Sequence, residues 1–356
     1  MKAIFIQMSN ECYDGGNASN AWSYVKGLQK ETEIDFDNVI LKKEAEGLGA
    51  PKSRLGASNK LWRDSGVWKT TVSGGSVALI DHDILHEAFL NKAWGMLPVY
   101  DTDSSPYLFA VIDHNSAHHI SYLLAKWAFE KHGRKGTVKV VINFDQHEDY
   151  GSKGTPGKLI NCGGWGSYAV SGPPQGSKCS RPQFKVDCYV SVGNGKSEGG
   201  AIGKEGVIGK HICKSGQFYT NIYSKGAKND QNPTAAIVAN KDNLLKKLGT
   251  KIGRGLIPWD IYVTVDRDCI QNNDTPYGHG VHKAEIVRNA VYNLLRDMRN
   301  TRSALVGFDI IGLPHHTSIN KNIAYTDIRH FCTMVKNYPI KTWPTYNPKS
   351  KNGMAI

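Results

Sequence analysis

No two of the seven cysteines form a CxxC pair. Cys12, Cys162, Cys179, Cys188, Cys213, Cys269 and Cys332 are scattered along 356 residues, and their number is odd. A disulfide framework or a zinc finger needs paired, regularly spaced cysteines, so the pattern argues against both. Free thiols in a reducing, cytoplasmic compartment are expected. There is also no run of about 20 apolar residues, which excludes a transmembrane helix. At the N-terminus, "MKAIFIQMSNECYDGG" turns polar too early for a signal peptide. No fixed-period repeat is present, and no RRM, KH or C2H2 signature. The formal charge is +12. Clustered Lys and Arg would suit nucleic acid, but here they are spread thinly, which argues against that partner. An acidic peptide or protein partner, or simply a well-solvated surface, accounts for the charge equally well.

Apolar, β-branched runs alternate with helix-like segments. "SVALI" precedes "DHDILHEAFLNKAWGM", and "PYLFAVI" precedes "DHNSAHHISYLLAKWAFEKHG". "KVVINF" precedes "DQHEDYG", and "DCYVSV" precedes "GNGKSEGG". "DIYVTV" precedes "DRDC", with "HKAEIVRNAVYNLLRDMRN" following at helical spacing. "SALVGFDII" precedes "GLPHHTS". Continuous apolar strands with helices between them predict a three-layer α/β/α fold around a mostly parallel sheet buried on both faces. Its functional site belongs at the carboxyl ends of the strands. The chain reads as one α/β domain over 1–356. Residues of about 151–216 are rich in Gly, Ser and Lys and read as loops over one face, with one strand near Tyr189–Val192. The tail of about 345–356 reads as loose.

Three strand ends carry metal-binding side chains: Asp113 and His114; Asp145, His147 and Asp149; Asp266 and Asp268. Residues two apart on an extended chain point to one face. Each motif alone has a plain reading as a hydrogen-bonded strand end. Together they supply two imidazoles and four carboxylates beyond Asp113. That set is too acidic for one structural zinc and suits a pair of divalent cations, with manganese the natural candidate.

In this order the motifs resemble the arginase and deacetylase superfamily, in its ureohydrolase branch. Asp113-His114 is similar to the branch's GGDH motif, Asp145, His147 and Asp149 to its DAHxD motif, and Thr264, Asp266 and Asp268 to its SxDxD motif. "DTPYGHGVHKAE" and "LVGFDIIGLP" resemble its Gly-rich turn and last core strand, so the likeness spans about Pro106 to Pro314. It implies an arginase-like fold and two Mn²⁺ per chain. His114, Asp145, Asp149 and Asp266 would hold one, and Asp145, His147, Asp266 and Asp268 the other. Two such metals lower the pKa of water and supply hydroxide near neutral pH. Attack on a guanidinium carbon would release urea and an ornithine amine. His279, His315 and His316 are candidates to protonate that amine. Glu148 is a candidate for a supporting or substrate contact, and Asp309 for holding the guanidinium.

The chain departs from the branch in several places. Val111-Ile112 replaces the two glycines, and Cys269-Ile270-Gln271 follows the third motif. Gly312 stands where free-arginine enzymes place a guanidinium-binding Glu. The loop that grips the amino-acid end has no counterpart after Asp149. The form "DHNSA…FDQHED" resembles a divergent bacterial group that includes the peptide arginases. The implied substrate is therefore an arginine side chain in a peptide, for which an acidic leader would complement the positive charge. Alternatives are a ureohydrolase of the arginase or agmatinase type acting on a free guanidino compound, and a single-zinc deacetylase. A further alternative is a basic nucleic-acid- or protein-binding module with a non-catalytic metal site. His118 and His119 read as packing or surface residues of the helix after His114. Asp81, His82, Asp83 and His86 form a second tempting cluster, read as structural.

Overall fold

The computed structural model describes residues 1–8, 19–41, 62–64, 67–72, 75–81, 107–113, 115, 118–147, 149, 159–161, 163–171, 184–192, 209–212, 218–221, 259–270, 283–299, 303–313 and 321–337. Thirteen strands and five α-helices lie among them. The strands are β1 (Lys2–Met8), β2 (Asp35–Leu41), β3 (Trp62–Asp64), β4 (Val67–Val72), β5 (Gly75–Asp81), β6 (Leu108–Ile112), β7 (Val138–Phe144), β8 (Leu159–Asn161), β9 (Cys188–Val192), β10 (Gly209–Ile212), β11 (Phe218–Asn221), β12 (Trp259–Asp266) and β13 (Ala304–Ile311). The helices are α1 (Ser19–Thr32), α2 (Ile120–His132), α3 (Trp165–Ser171), α4 (Ala284–Arg299) and α5 (Lys321–Lys336).

Nine strands form the main sheet in the order β10-β11-β9-β7-β12-β13-β6-β1-β2. Every neighbouring pair is parallel except β10 with β11. The central strands read as unbroken apolar runs because both faces are covered. All five residues of β6 and all eight of β12 are buried. Alternate side chains feed two cores. Ala3 and Phe5 pack on the face covered by α1, α4 and α5, through Val25, Val291 and Phe331. Ile4 and Ile6 pack on the opposite face with α2 and α3, through Leu124, Trp127 and Trp165. This is the three-layer α/β/α arrangement expected from the sequence.

Three elements differ from expectation. The run "SVALI" is not part of the parallel sheet: β5 belongs to a separate antiparallel sheet of order β3-β4-β5-β8. A short apolar run with a helix-like segment after it does not reveal which sheet it joins. Conversely, β1 was not expected from the sequence, yet it lies between β6 and β2. The Gly-rich stretch holds β8, α3 and β10 in addition to the expected strand, now β9. The tail of about 345–356 lies outside the described residues.

Candidate metal centre

Register brings the acidic motifs level. Val265 pairs with Phe144, so Asp145 and Asp266 leave neighbouring strands at the same height. The parallel sheet directs both chain ends to one edge. Past β12 the chain makes one 3₁₀ turn (Arg267–Cys269), in which the Asp268 amide donates to Asp266 Oδ1 at 2.9 Å. Past β7, the His147 amide donates to Asp145 Oδ1 at 2.7 Å. The Gln146 amide reaches across to Asp268 Oδ1 at 3.2 Å.

The imidazole facing Asp145, Asp149 and Asp266 is that of His118. Its Nδ1 lies 2.8 Å from Asp149 Oδ2, 3.2 Å from Asp145 Oδ2 and 3.3 Å from Asp266 Oδ2. His118 is buried in this cluster, which corrects its reading as a packing or surface residue. After β6 the chain turns, with the His118 amide donating to the Asn115 carbonyl at 3.0 Å and the Ser121 amide to His118 at 2.9 Å. That turn sets His118 beside the ends of β7 and β12. The second imidazole is the expected one. His147 Nδ1 lies 2.8 Å from Asp268 Oδ2 and 3.6 Å from Asp145 Oδ1. His147 is 23% exposed and the four carboxylates are buried, so the cluster meets solvent on the His147 side.

Two groups of ligand atoms converge: His118, Asp145 and Asp266, and Asp145, His147 and Asp268, each within 4.8 Å. Asp145 belongs to both. Ligand atoms on adjacent corners of an octahedral ion, each about 2.1 Å from it, are about 3 Å apart. Separations of 2.8 to 3.3 Å around His118 match that spacing. Charge points the same way. Four buried carboxylates face two imidazoles, so with all four ionised even full protonation of both rings leaves the cluster negative. Burial raises the carboxyls of Asp149, Asp268 and Asp266, and the charge of Asp145 adds to each. Burial also acts upward on Asp145, but hydrogen bonds from His118 and His147 outweigh it and hold it well below the usual range. Burial opposes protonation of His118, yet Asp149, Asp145 and Asp266 raise its pKa well above the ordinary value. His147 is likewise raised, burial being outweighed by Asp145 and Asp268. Two divalent cations would neutralise four carboxylates and leave both imidazoles free as ligands, so the residues fit the group.

Neighbouring side chains orient the cluster. Asn115 Nδ2 donates to Asp266 Oδ1, and Asn143 Nδ2 to Asp145 Oδ2 at 3.1 Å. Thr264 Oγ1 lies 3.1 Å from His118 Nε2 and donates to Asp309 Oδ1 at 2.5 Å. Tyr262 donates to the other Asp309 oxygen. The Tyr262 ring crosses Gly307, where a Cβ would lie 2.5 Å from it. Asp309 is 0% exposed, and both its oxygens are engaged. Closed from solvent, it suits an orienting position behind Thr264 and His118.

Gly312 has φ +90°, and a Cβ there would lie 2.6 Å from Asn115 Oδ1. The Asn115 amide thus occupies the space beside Gly312. His114, Glu148, His279, His315 and His316 lie outside the described residues, as do His82, Asp83 and His86; Asp81 ends β5. His119 is buried. Cys269 and Cys332 are buried free thiols. No described helix is long and apolar enough to cross a membrane.

No family model matches the chain, and no curated protein matches it by sequence. Solved structures do. A hypothetical agmatinase from Burkholderia thailandensis superposes with a TM-score of 0.53 at 13% identity, over 95% of this chain and 84% of that one. The arginase of Entamoeba histolytica, solved with L-ornithine, gives 0.52 at 13%, over 94% and 97%. Formimidoylglutamase from Bacillus subtilis gives 0.51 at 13%, over 95% and 88%. The class is therefore the arginase-like α/β fold, as the motifs implied. Likeness at this identity establishes the fold and leaves the activity to the site.

Proposed function

We propose that the chain is a hydrolase of guanidino groups that works with two Mn²⁺ ions, and that its substrate is an arginine side chain within a peptide. The observation that carries this reading is the buried group of Asp145, Asp149, Asp266, Asp268 and His118, with the part-exposed His147, at the carboxyl edge of an arginase-like sheet. The similar structures named agmatinase, arginase and formimidoylglutamase support the same reaction class. His118, Asp145, Asp149 and Asp266 would hold one ion. Asp145, His147, Asp266 and Asp268 would hold the other. When bound, such a pair makes water acidic enough to give hydroxide near neutral pH.

The chain's own residues do the rest. Thr264 and Asp309 fix the His118 ring, and Asn115 and Asn143 fix which carboxylate oxygens stay available. Water and substrate would enter on the exposed side of His147. The leaving amine needs a proton, for which His279, His315 and His316 remain the candidates, with Glu148 beside them. Two features favour a peptide over free arginine. Just past the last strand stands Gly312, packed against Asn115, where a guanidinium-binding carboxylate would be expected in a free-arginine enzyme. A chain of net charge +12 also repels a free cationic amino acid, while an acidic peptide would be drawn to it.

The test is incubation of the Mn²⁺-loaded chain with an arginine-containing peptide bearing an acidic leader and, separately, with free arginine and agmatine. Loss of the mass of CH2N2 from the peptide, with urea formed, supports the reading. Turnover of the free compounds alone moves the substrate to a small molecule.

A further inference from the structure

We infer that Trp165 and Gly166, in the Gly-rich stretch, form a clamp on Asp149 and so set the affinity of one of the two cation positions. The inference rests on the reading of the cluster as a metal centre. Asp149 has φ +51°, in the left-handed region that a residue with a Cβ rarely adopts. Two consecutive residues at the start of α3 hold it there. The Trp165 indole Nε1 donates to Asp149 Oδ2 at 2.7 Å. The Gly166 amide donates to the Asp149 carbonyl oxygen at 2.8 Å. Side chain and main chain of one residue are thus gripped from the same helical turn.

The fit is close. Trp165 is fully buried. Its ring lies edge-on to Tyr189, with centroids 5.4 Å apart, and 5.1 Å from the His118 ring. A Cβ on Gly166 would lie 2.6 Å from Tyr189 Cζ and 2.9 Å from the Asp149 carbonyl oxygen, so glycine is what lets α3 approach this near. Tyr189 is itself tied to the cluster, because Asn143 Nδ2 reaches both its hydroxyl, at 2.8 Å, and Asp145.

The clamp acts on one side only. Asp149 Oδ2, the oxygen that Trp165 orients, is the one 2.8 Å from His118 Nδ1. Asp266 and Asp268 accept from Asn115, the Gln146 amide and the Asp268 amide. Trp165 is therefore a positioning residue for the His118–Asp149 position and not for the His147–Asp268 position.

Calorimetric Mn²⁺ titration of the full chain, parent against Trp165→Phe, tests this. Phenylalanine keeps a ring and removes the N–H. The parent is expected to bind two ions. The variant should bind one of them at least about tenfold more weakly, the loss typical of an orienting partner, and the other unchanged. In an Asp149→Ala background the same substitution should cost no further affinity, because its effect passes through Asp149. Gly166→Ala, which pushes on the other arm, should give the same one-sided loss and serves if the Phe variant does not fold. Equal weakening of both ions, no weakening of either, or a further loss in the Asp149→Ala background overturns the clamp. A parent that takes up no divalent ion overturns the proposed function as well, whereas a parent with two ions and an unaffected variant overturns the clamp alone.

Discussion

Replacing His118 by alanine removes one imidazole from contact with three carboxylates. Its Nδ1 lies 2.8, 3.2 and 3.3 Å from Asp149, Asp145 and Asp266, and its Nε2 3.1 Å from Thr264 Oγ1. In the metal-free chain this breaks a buried ion pair, at a cost of about 3–5 kcal/mol. The raised carboxyls of Asp149 and Asp266 can take up protons instead, which caps the loss near the lower figure. In the metal-bound chain a direct ligand is lost. The effect should exceed the 10- to 100-fold (about 1.4–2.8 kcal/mol) typical of an outer partner. Two assays read these terms separately: denaturant unfolding of chelator-treated protein, and Mn²⁺ titration by loss of the free-ion EPR signal. His118→Ala should keep one tight ion, with the other weakened more than about 100-fold. His114→Ala serves as the contrast, since the resemblance to known enzymes pointed to His114. If His118→Ala binds both ions like the parent and His114→Ala loses one, the site as described is wrong.

Further outcomes follow from the same geometry. Thr264→Val removes the hydroxyl from between Asp309 Oδ1 and His118 Nε2 and should cost about 1–3 kcal/mol in unfolding, with weaker Mn²⁺ binding in the titration. Gly312→Ala meets both φ +90° and Asn115 Oδ1, and should destabilise by about 1–3 kcal/mol in the same denaturation assay. Folding raises the pKa of Asp149, Asp266, Asp268, His118 and His147. A raised group stabilises fully below its unfolded pKa, and that stability is lost as pH rises through the folded value. The cluster's share of metal-free stability should thus fall in denaturant titrations as pH rises above about 4, the ordinary Asp value, with Asp145 acting in the opposite sense at acid pH and His132, lowered to about 4 by burial, opposing the fall up to about pH 6.5. Mn²⁺ affinity should rise over the same range, because its ligands must release protons.

Much of this was legible in the residues. Apolar strand runs and the i, i+2 spacing of acids at their ends give the parallel sheet, the edge and the carboxylates Asp145, Asp149, Asp266 and Asp268. What escaped depends on tertiary turns. "DHNSAHH" offers three histidines, and only the turn closed on the Asn115 carbonyl puts His118 beside β7. One local signal was available: a helix beginning at Ile120 leaves His118 in the loop at the strand's carboxyl end, where ligands belong. Asp309 looked free because it is the one acid within the apolar run of β13. Its engagement follows from register, Asp309 opposite Thr264, which no spacing within either strand reveals. The Gly-rich stretch hid α3, because "GGWGSYAVS" is too short for a helical period, and its glycine serves close packing on Tyr189.

The most direct measurement is urea release by the Mn²⁺-loaded chain from guanidino substrates, with arginine peptides, free arginine and agmatine assayed side by side. The account predicts urea from an arginine peptide, abolished by Asp145→Ala, which removes a carboxylate common to both cation positions. A chain that binds two Mn²⁺ ions and yet releases no urea from any of these substrates contradicts it.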